Sequence, residues 1–337
     1  MKIKTSIIIA NYNGKDFLPV CLNSVSKFKP SSCEIIVIDD CSTDNSIDIV
    51  KKFQKKDKAI KVIQNKVNLG AAESRNIAIK NALGEIIIFL DNDTEIERDS
   101  LSVLVTKFAD KKIGAVQALL VDFEHRNVVQ NGGGLLIPQV AWLAPYYQKK
   151  AVKTVKKENK KIVAISACLA VRSEALKAVG GFDKDLSVYT EDLDFSWRLW
   201  IAGWQIILSP NSIVYHWTKS IYKRKTMHAT YERIYFHLAK NSFTSIVKNY
   251  EIKNVVKFLP TSIAINLGRA FLVLIARRKF YAITGTFKAI WWFAKNISQI
   301  IYKRSLVQAT RQKSDKVLFV DIFSHDSLVT NYRKYFL

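Results

Sequence analysis

Residues 84–93, GEIIIFLDND, decide the fold. Ile86, Ile87, Ile88, Phe89 and Leu90 run without a polar break between a turn glycine and a cluster of acid and amide side chains. An uninterrupted, mostly β-branched run of that length suits a strand buried on both faces, in the middle of a parallel sheet. A buried helix shares the lack of polar breaks, but Gly84 and Asp91 leave too few residues for one. The strand then ends in Asp91-Asn92-Asp93 at its carboxyl edge, where open α/β sheets place their ligands. Two carboxylates one residue apart can hold a hard divalent cation that also takes phosphate oxygens. A solvated acidic turn has the same local pattern, so the surrounding chain has to decide.

On the amino-terminal side, residues 5–10 (TSIIIA) and 34–38 (EIIVI) read as two further buried strands. Each ends in a polar loop, Asn11-Tyr12-Asn13-Gly14 after the first and Asp39-Asp40-Cys41-Ser42-Thr43-Asp44 after the second. Residues 59–64 read as a short third strand, followed by Asn68-Leu69-Gly70 and a helix through residue 82. Helical spacing of Phe17, Leu18, Cys21, Leu22 and Val25, and later of Leu101, Leu104, Val105 and Phe108, supplies the crossovers. Strand and helix alternate four times, which predicts a mostly parallel sheet flanked by helices with right-handed connections. The polar strand ends then converge on one edge.

Beyond residue 110 the pattern loosens. Residues 115–121 and 162–171 read as strands, and seven lysines between 149 and 161 predict a solvated, mobile excursion. A helix opens at Thr190 with Glu191-Asp192-Leu193-Asp194, and strands follow at 204–208 and 213–217. Trp197, Trp200 and Trp204 are expected in the core. The four cysteines show neither metal-ligand spacing nor a compact disulfide framework, and are expected buried and reduced. No cleavage site follows the first residues, so a signal peptide is not expected.

Hydrophobic content of 49% suits a packed core, whereas 52 Lys and Arg against 29 Asp and Glu leave a net charge of +23. The excess is uneven: residues 1–220 hold 31 basic and 24 acidic residues, and residues 221–337 hold 21 and 5. A catalytic α/β domain over 1–220 and a basic helical region over 221–337 are therefore expected. The longest apolar stretch, residues 258–276, is interrupted by Arg269, so no segment is expected to span a membrane.

The ordered set SIIIANYNG, IIVIDDCSTDNS, NLGAAESRN, IIIFLDNDTEI, GGFD with YTEDLDFSWRLWIAGW, and IVYHW resembles family 2 glycosyltransferases across residues 4–220. It is most similar to bacterial rhamnosyl- or galactofuranosyltransferase-like enzymes of surface polysaccharide synthesis. The resemblance implies the GT-A fold of nucleotide-diphospho-sugar transferases. It also implies an inverting transfer from a nucleotide-sugar donor to a saccharide or lipid-linked saccharide, and a divalent cation, Mg²⁺ or Mn²⁺. Ala10, Asn11, Tyr12, Asn13 and Asp39 would hold the nucleoside. Gly70 and Arg75 would face the diphosphate, and Asp91 and Asn92 would contact the ribose or a metal-bound water. Asp93, Asp91 and His216 would ligate the cation.

Residue chemistry narrows the acidic quartet. Inversion needs a base on the acceptor side. On a helix Asp192 and Asp194 lie about 200° apart, so only one can face a cleft. Asp194 stands four residues before Arg198 and is expected to form a surface pair with it. Asp192 shares a face with Phe195, Ser196 and Leu199, and the family motif also puts the base at this second acid. Asp192 is therefore the expected base.

Three rival readings remain. A sugar nucleotidylyltransferase would need a glycine- and arginine-rich phosphate loop after the first strand, and NYNG is not that. A polyprenyl-phosphate monosaccharide transferase often carries paired spanning helices. A nucleic-acid binder would use the basic tail but leaves the acidic sheet edge unexplained, so no nucleic acid is expected. The basic, aromatic-rich tail is expected to lie on the anionic inner face of the cell membrane, which makes the enzyme cytoplasmic and peripheral.

Overall fold

The computed structural model describes residues 4–156, 159–217, 227–327 and 330–331. Its first third alternates as the periodicity predicts, through β1 (Thr5–Asn11), α1 (Leu18–Phe28), β2 (Cys33–Asp39), α2 (Ser46–Lys56), β3 (Ile60–Gln64), α3 (Ala71–Lys80) and β4 (Ile86–Asp91). Next come β5 (Thr94–Ile96), α4 (Ser100–Thr106), β6 (Ile113–Asp122), β7 (Val129–Asn131), β8 (Gly134–Ile137) and β9 (Trp142–Pro145). The α/β part closes with β10 (Lys160–Lys161), β11 (Cys168–Arg172), α5 (Ser173–Val179), α6 (Glu191–Ile201) and β12 (Gln205–His216). Five helices complete the chain: α7 (Met227–Asn249), α8 (Ile252–Arg277), α9 (Tyr281–Lys295), α10 (Ile297–Ala309) and α11 (Asp315–Asp321). The boundary expected at residue 220 lies outside the described residues.

The main sheet runs β10-β12-β6-β11-β4-β1-β2-β3, with β5 paired to β12 and β7 to β6. Strands β4, β1, β2 and β3 are mutually parallel, while β11 runs antiparallel to both β4 and β6. The reversal follows from where the chain enters: Cys168 pairs with Leu90 at the carboxyl edge and Arg172 with Ile86 at the other. Alternate side chains feed two layers, as a strand's period of two requires. Ile7, Ile9, Val37, Ile88 and Leu90 pack with Leu18, Leu22, Leu101 and Leu104 on one face. Ile8, Ile36, Ile38, Ile87 and Phe89 pack on the other with Phe182, Phe195 and Trp197.

That second layer continues into the carboxyl-terminal helices. Ile246, Tyr250, Phe258, Ile300, Leu318 and Phe323 belong to the same apolar cluster, and the Trp197 ring meets Tyr250 and Phe323 edge-on at 4.6 and 5.4 Å. The β8–β9 hairpin is tied in as well. Tyr250 Oη donates to Pro138 O at 3.0 Å, and Ser324 N to Leu136 O at 2.8 Å.

Four expectations need correcting. The lysine-rich stretch is not simply an excursion, because Lys160 and Lys161 form an edge strand on β12 and the Lys160 ammonium lies 4.0 Å from the Tyr146 ring centroid. The two strands expected at 204–208 and 213–217 are one strand, β12 (Gln205–His216), whose register on β6 shifts at Gln205/Ile206 and again at Ser209/Ile213. Cys33 and Cys41 are only half-buried, although all four thiols are free. Finally, α8 is long and apolar enough, by length and composition only, to cross a membrane. Arg269 remains a charged residue within α8, its guanidinium lying 4.9 and 4.5 Å from the ring centroids of Trp142 and Tyr235.

Candidate active site

Strand register assembles the site. Asn11 lies beside Asp39, and Ala10 beside Asp91, so the ends of β1, β2 and β4 form one polar edge. A hydrogen-bond chain runs along it. Asn92 Nδ2 donates to Asn11 Oδ1 at 2.7 Å, and Asn11 Nδ2 donates to Asp39 Oδ1 at 2.7 Å. Ser42 closes the chain, donating its hydroxyl to Asp39 Oδ1 at 2.6 Å and its amide to Oδ2 at 3.0 Å. Gly14 is required here: a Cβ would stand 2.0 Å from Asn92 Nδ2 and 2.4 Å from Asn11 Oδ1. Tyr12 and Asn13 project from this edge, Tyr12 being 41% exposed.

Asp40, read in the sequence only as part of the polar loop after the second strand, has a defined task. Its carboxylate accepts the amides of Leu69 and Gly70, both at 2.8 Å, and Asn65 Nδ2 at 2.9 Å. It fixes the turn in which Gly70 takes φ 84°, the left-handed region that glycine enters without steric cost, and from which α3 starts. Asp44, just before α2, accepts the Ser46 amide at 3.0 Å and the Lys15 amide at 3.1 Å.

Arg75 is buried rather than exposed. Its guanidinium joins Asp91 Oδ1 at 2.8 Å and Glu191 Oε1 at 3.2 Å, and lies 5.4 Å from the Phe182 ring centroid. It links the central strand to the first turn of α6. The role of Glu191 was not read from the sequence, where nothing separates it from its acidic neighbours. Burial pushes the carboxyls of Asp91, Glu191 and Asp192 up against the pull of Arg75, Glu191 to about 7 and Asp192 to about 6.

Asp91, Asp93 and His216 come together, with one ligand atom from each lying within 4.8 Å of the others. His216 Nε2 is 3.2 Å from Asp93 Oδ1, while its Nδ1 pairs with Gln130 Oε1 at 2.5 Å. Gln130 therefore fixes the ring and leaves Nε2 facing the carboxylates, the arrangement that outer partners give a metal-binding histidine. Burial disfavours the imidazolium, but Asp93 and Asp91 outweigh it and raise the His216 pKa. Two carboxylates and an imidazole on rigid strand ends fit a divalent cation. Gln130 carries no sequence signal, since it reaches His216 of β12 only because β7 and β12 both pair with β6.

The two acids of α6 part as the helical wheel requires. Asp192 is half-buried, accepting the Ser166 amide at 3.0 Å and the Leu193 amide at 2.8 Å. Asp194 points the other way and is fully buried, so its pair with Arg198 at 2.8 Å is a core contact and not a surface one. Lys248 of α7 at 3.1 Å and Asn249 Nδ2 at 2.9 Å complete its surroundings. Trp197 and Trp200 are core residues, and Trp200 Nε1 donates to Ile162 O at 2.8 Å.

Residues 6–180, just over half of the chain, match the pattern described as Glycosyl transferase family 2. The chain belongs to this family. Family 2 relatives include the poly(ribitol-phosphate) beta-N-acetylglucosaminyltransferase TarS of Staphylococcus aureus, 38% identical over 102 residues, which are 29% of this chain and 18% of that protein. The poly-beta-1,6-N-acetyl-D-glucosamine synthase of Staphylococcus epidermidis is 29% identical over 213 residues, 62% of this chain and 48% of that protein. The chain thus spans less than half the length of these two relatives. Among solved structures, residues 1–349 of S. aureus TarS with UDP-GlcNAc give a TM-score of 0.57 at 19% identity, covering 91% of this chain and 89% of that one. The mannosyltransferase PcManGT of Pyrobaculum calidifontis, solved with GDP-Man and Mn²⁺, gives 0.55 at 19% identity, covering 91% and 85%. These likenesses establish the GT-A fold.

Proposed function

We propose that this family 2 member is an inverting glycosyltransferase. It would move a sugar from a nucleoside-diphosphate donor to a saccharide or lipid-linked saccharide in cell-surface glycan synthesis. The observation that carries the reading is the Asp91, Asp93 and His216 group at the sheet edge, joined through Arg75 to the acidic start of α6. Asn11 and Asp39, with Ala10, Tyr12 and Asn13, hold the nucleoside. Gly70 and the first amides of α3 face the diphosphate, since a helix N-terminus favours anions. Arg75 keeps Asp91 aimed at the cation and balances the clustered carboxylates, and Asn92 lines the ribose side. Asp93, Asp91 and His216 would hold a divalent cation of the Mg²⁺ or Mn²⁺ type, which would supply neutralisation of charge on the departing diphosphate. Asp192, its carboxylate oriented by the Ser166 and Leu193 amides, takes the proton of the attacking hydroxyl.

The acceptor reading draws on the outer face of α8 and α9. Val256, Phe271, Leu272, Ile275, Phe287 and Trp291 are exposed there, interleaved with Lys257, Lys288 and Lys295 around a basic turn at 277–279. Such a face suits the headgroup layer of an anionic membrane, where a lipid-linked acceptor is presented.

A panel of nucleotide sugars assayed with acceptor, with and without chelator, tests the chemistry. Nucleoside diphosphate release with inverted product, lost on chelation, is expected. Pyrophosphate release would support a nucleotidylyltransferase, and retained configuration would overturn the inverting mechanism. Flotation with anionic and neutral liposomes tests the surface; full-length protein that ignores anionic vesicles at low salt overturns it.

A further inference from the structure

Residues 182–190 connect α5 to α6 and so set where Asp192 begins. Two of them take positive φ without being glycine, Ser187 at 50° and Tyr189 at 83°. Such conformations persist only where the surroundings over-determine them. Here the surroundings come from the carboxyl-terminal helices. Asn241 of α7, fully buried, donates Nδ2 to Leu186 O at 3.0 Å and to Val188 O at 2.9 Å, one carbonyl on each side of Ser187. Lys240 donates to the Asp185 carbonyl. Lys303 of α10 bridges the carboxylates of Asp183 and Asp185, the latter at 2.6 Å. Lys248, only 2% exposed in its side chain, joins Asp183 to Asp194 in the first turn of α6.

The opposite flank of the loop faces the donor side. Asn76 of α3 donates to Phe182 O at 2.8 Å and accepts the Phe182 amide at 2.9 Å. A Cβ on Gly70 would come within 3.9 Å of Ser187. The loop is therefore held between the turn that starts α3 and the helices beyond residue 227, with the strained positions at the grip of Asn241.

We propose that Asn241, Lys248 and Lys303 are positioning residues for the transfer step: α7 and α10 hold residues 182–190 so that Asp192 meets the acceptor hydroxyl. The proposal rests on the reading of Asp192 as the base. It makes the basic carboxyl-terminal region part of the catalytic architecture. None of the three side chains touches the cleft carboxylates Asp91, Asp93 or Asp192, so they act through the loop and through Asp194.

The experiment compares full-length wild type with Asn241→Leu, near in size but without N–H donors, and with Lys303→Met and Lys303→Arg. Assays run well below each variant's Tm, and nucleoside diphosphate affinity measured by calorimetry reports that the donor site is folded. Asn241→Leu is expected to lower kcat about 10–100-fold with donor KM and diphosphate affinity unchanged, as small misplacements of a reacting group do. Lys303→Met is expected to fall in the same direction by several-fold, and Lys303→Arg to recover most of the loss. If Asn241→Leu fails to fold, the Lys303 pair decides alone. A wild-type kcat in the folded variants, beside an inactive Asp192→Asn, overturns the positioning role only. An Asp192→Asn enzyme that keeps wild-type kcat overturns the base assignment, and this proposal with it.

Discussion

Asp192 and Asp194 stand two residues apart on one helix, yet their neutralisation should fail differently: Asp194 chiefly in stability with a smaller loss of kcat, Asp192 chiefly in kcat. In Asp194→Asn the side chain keeps its size and loses the charge that Lys248 and Arg198 share. Both cations are buried, and removing one partner of a buried pair costs about 3–5 kcal/mol. The lower end applies here, because Lys248 keeps Asp183 and Arg198 keeps a 2.8 Å bond to Val179 O. At about 2.1 cal/mol/K per residue, a chain of this length unfolds with roughly 0.7 kcal/mol/K, so a loss of about 3 kcal/mol lowers Tm by about 4 °C. Asp192→Asn disturbs no ion pair in the structure and keeps an acceptor for one of the Ser166 and Leu193 amides, losing one hydrogen bond worth about 1 kcal/mol. Its Tm should move by little, while kcat falls by ~10²–10⁴ because an amide cannot take the proton. Differential scanning calorimetry and initial rates on both variants make the comparison. The reasoning is refuted if Asp194→Asn loses as much kcat as Asp192→Asn with an unchanged Tm.

Further outcomes follow from the same geometry. His216→Ala should raise the metal concentration for half-maximal activity, and Gln130→Leu should shift it in the same direction by ~10–100-fold, read by metal titration of the rate. The rate should climb with pH across about 6 to 7, where burial holds the Asp192 and Glu191 carboxyls, because the base works ionised; kcat/KM already flat from pH 5 upward would contradict this. Asp183 and Asp194 are also desolvated, but Lys248 outweighs this, helped by Lys303 for one and Arg198 for the other, so both carboxyls lie below the ordinary range. Their stabilisation is present above the unfolded carboxylate value of about 3.9 and is lost as pH falls through the lower folded values, which denaturant titrations between pH 6 and 2.5 would register.

The donor side of the site was legible in the sequence because its residues sit at strand ends. Once residues 5–10, 34–38 and 86–90 are read as neighbouring parallel strands, Asn11, Asp39 and Asp91 must share an edge. The helical wheel likewise separated Asp192 from Asp194. What it did not provide was the environment of the second acid: an i to i+4 pair looks the same on a surface as beneath a helix that arrives fifty residues later. Asp40 and Gln130 were missed for a related reason. Their partners, the amides of residues 69 and 70 and the ring of residue 216, are fixed by tertiary register and leave no periodic trace.

The basic carboxyl-terminal third illustrates the limit of counting charge. Read as composition, its cations form one field that could face a membrane. Folded, they divide by direction. Lys240, Lys248, Lys303, Arg304 and Arg311 point inward, toward the carboxylates and carbonyls of residues 183–194 and of the end of α7. Lys253, Lys257, Arg277, Arg278, Lys279, Lys288 and Lys295 remain exposed on α8, α9 and the turn between them, the same elements that leave Phe271, Ile275 and Trp291 uncovered. Among the described cations of α8, α9 and the turn between them, this outer set is the one that faces solvent. At roughly 1 kcal/mol for each cation near an anionic surface, it still amounts to several kcal/mol at low salt. Packing on the catalytic domain and contact with a membrane are therefore not competing fates of these helices. On the proposed reading the inward cations hold the loop that leads to Asp192 while the outward ones, on other faces of the same helices, would meet an anionic bilayer.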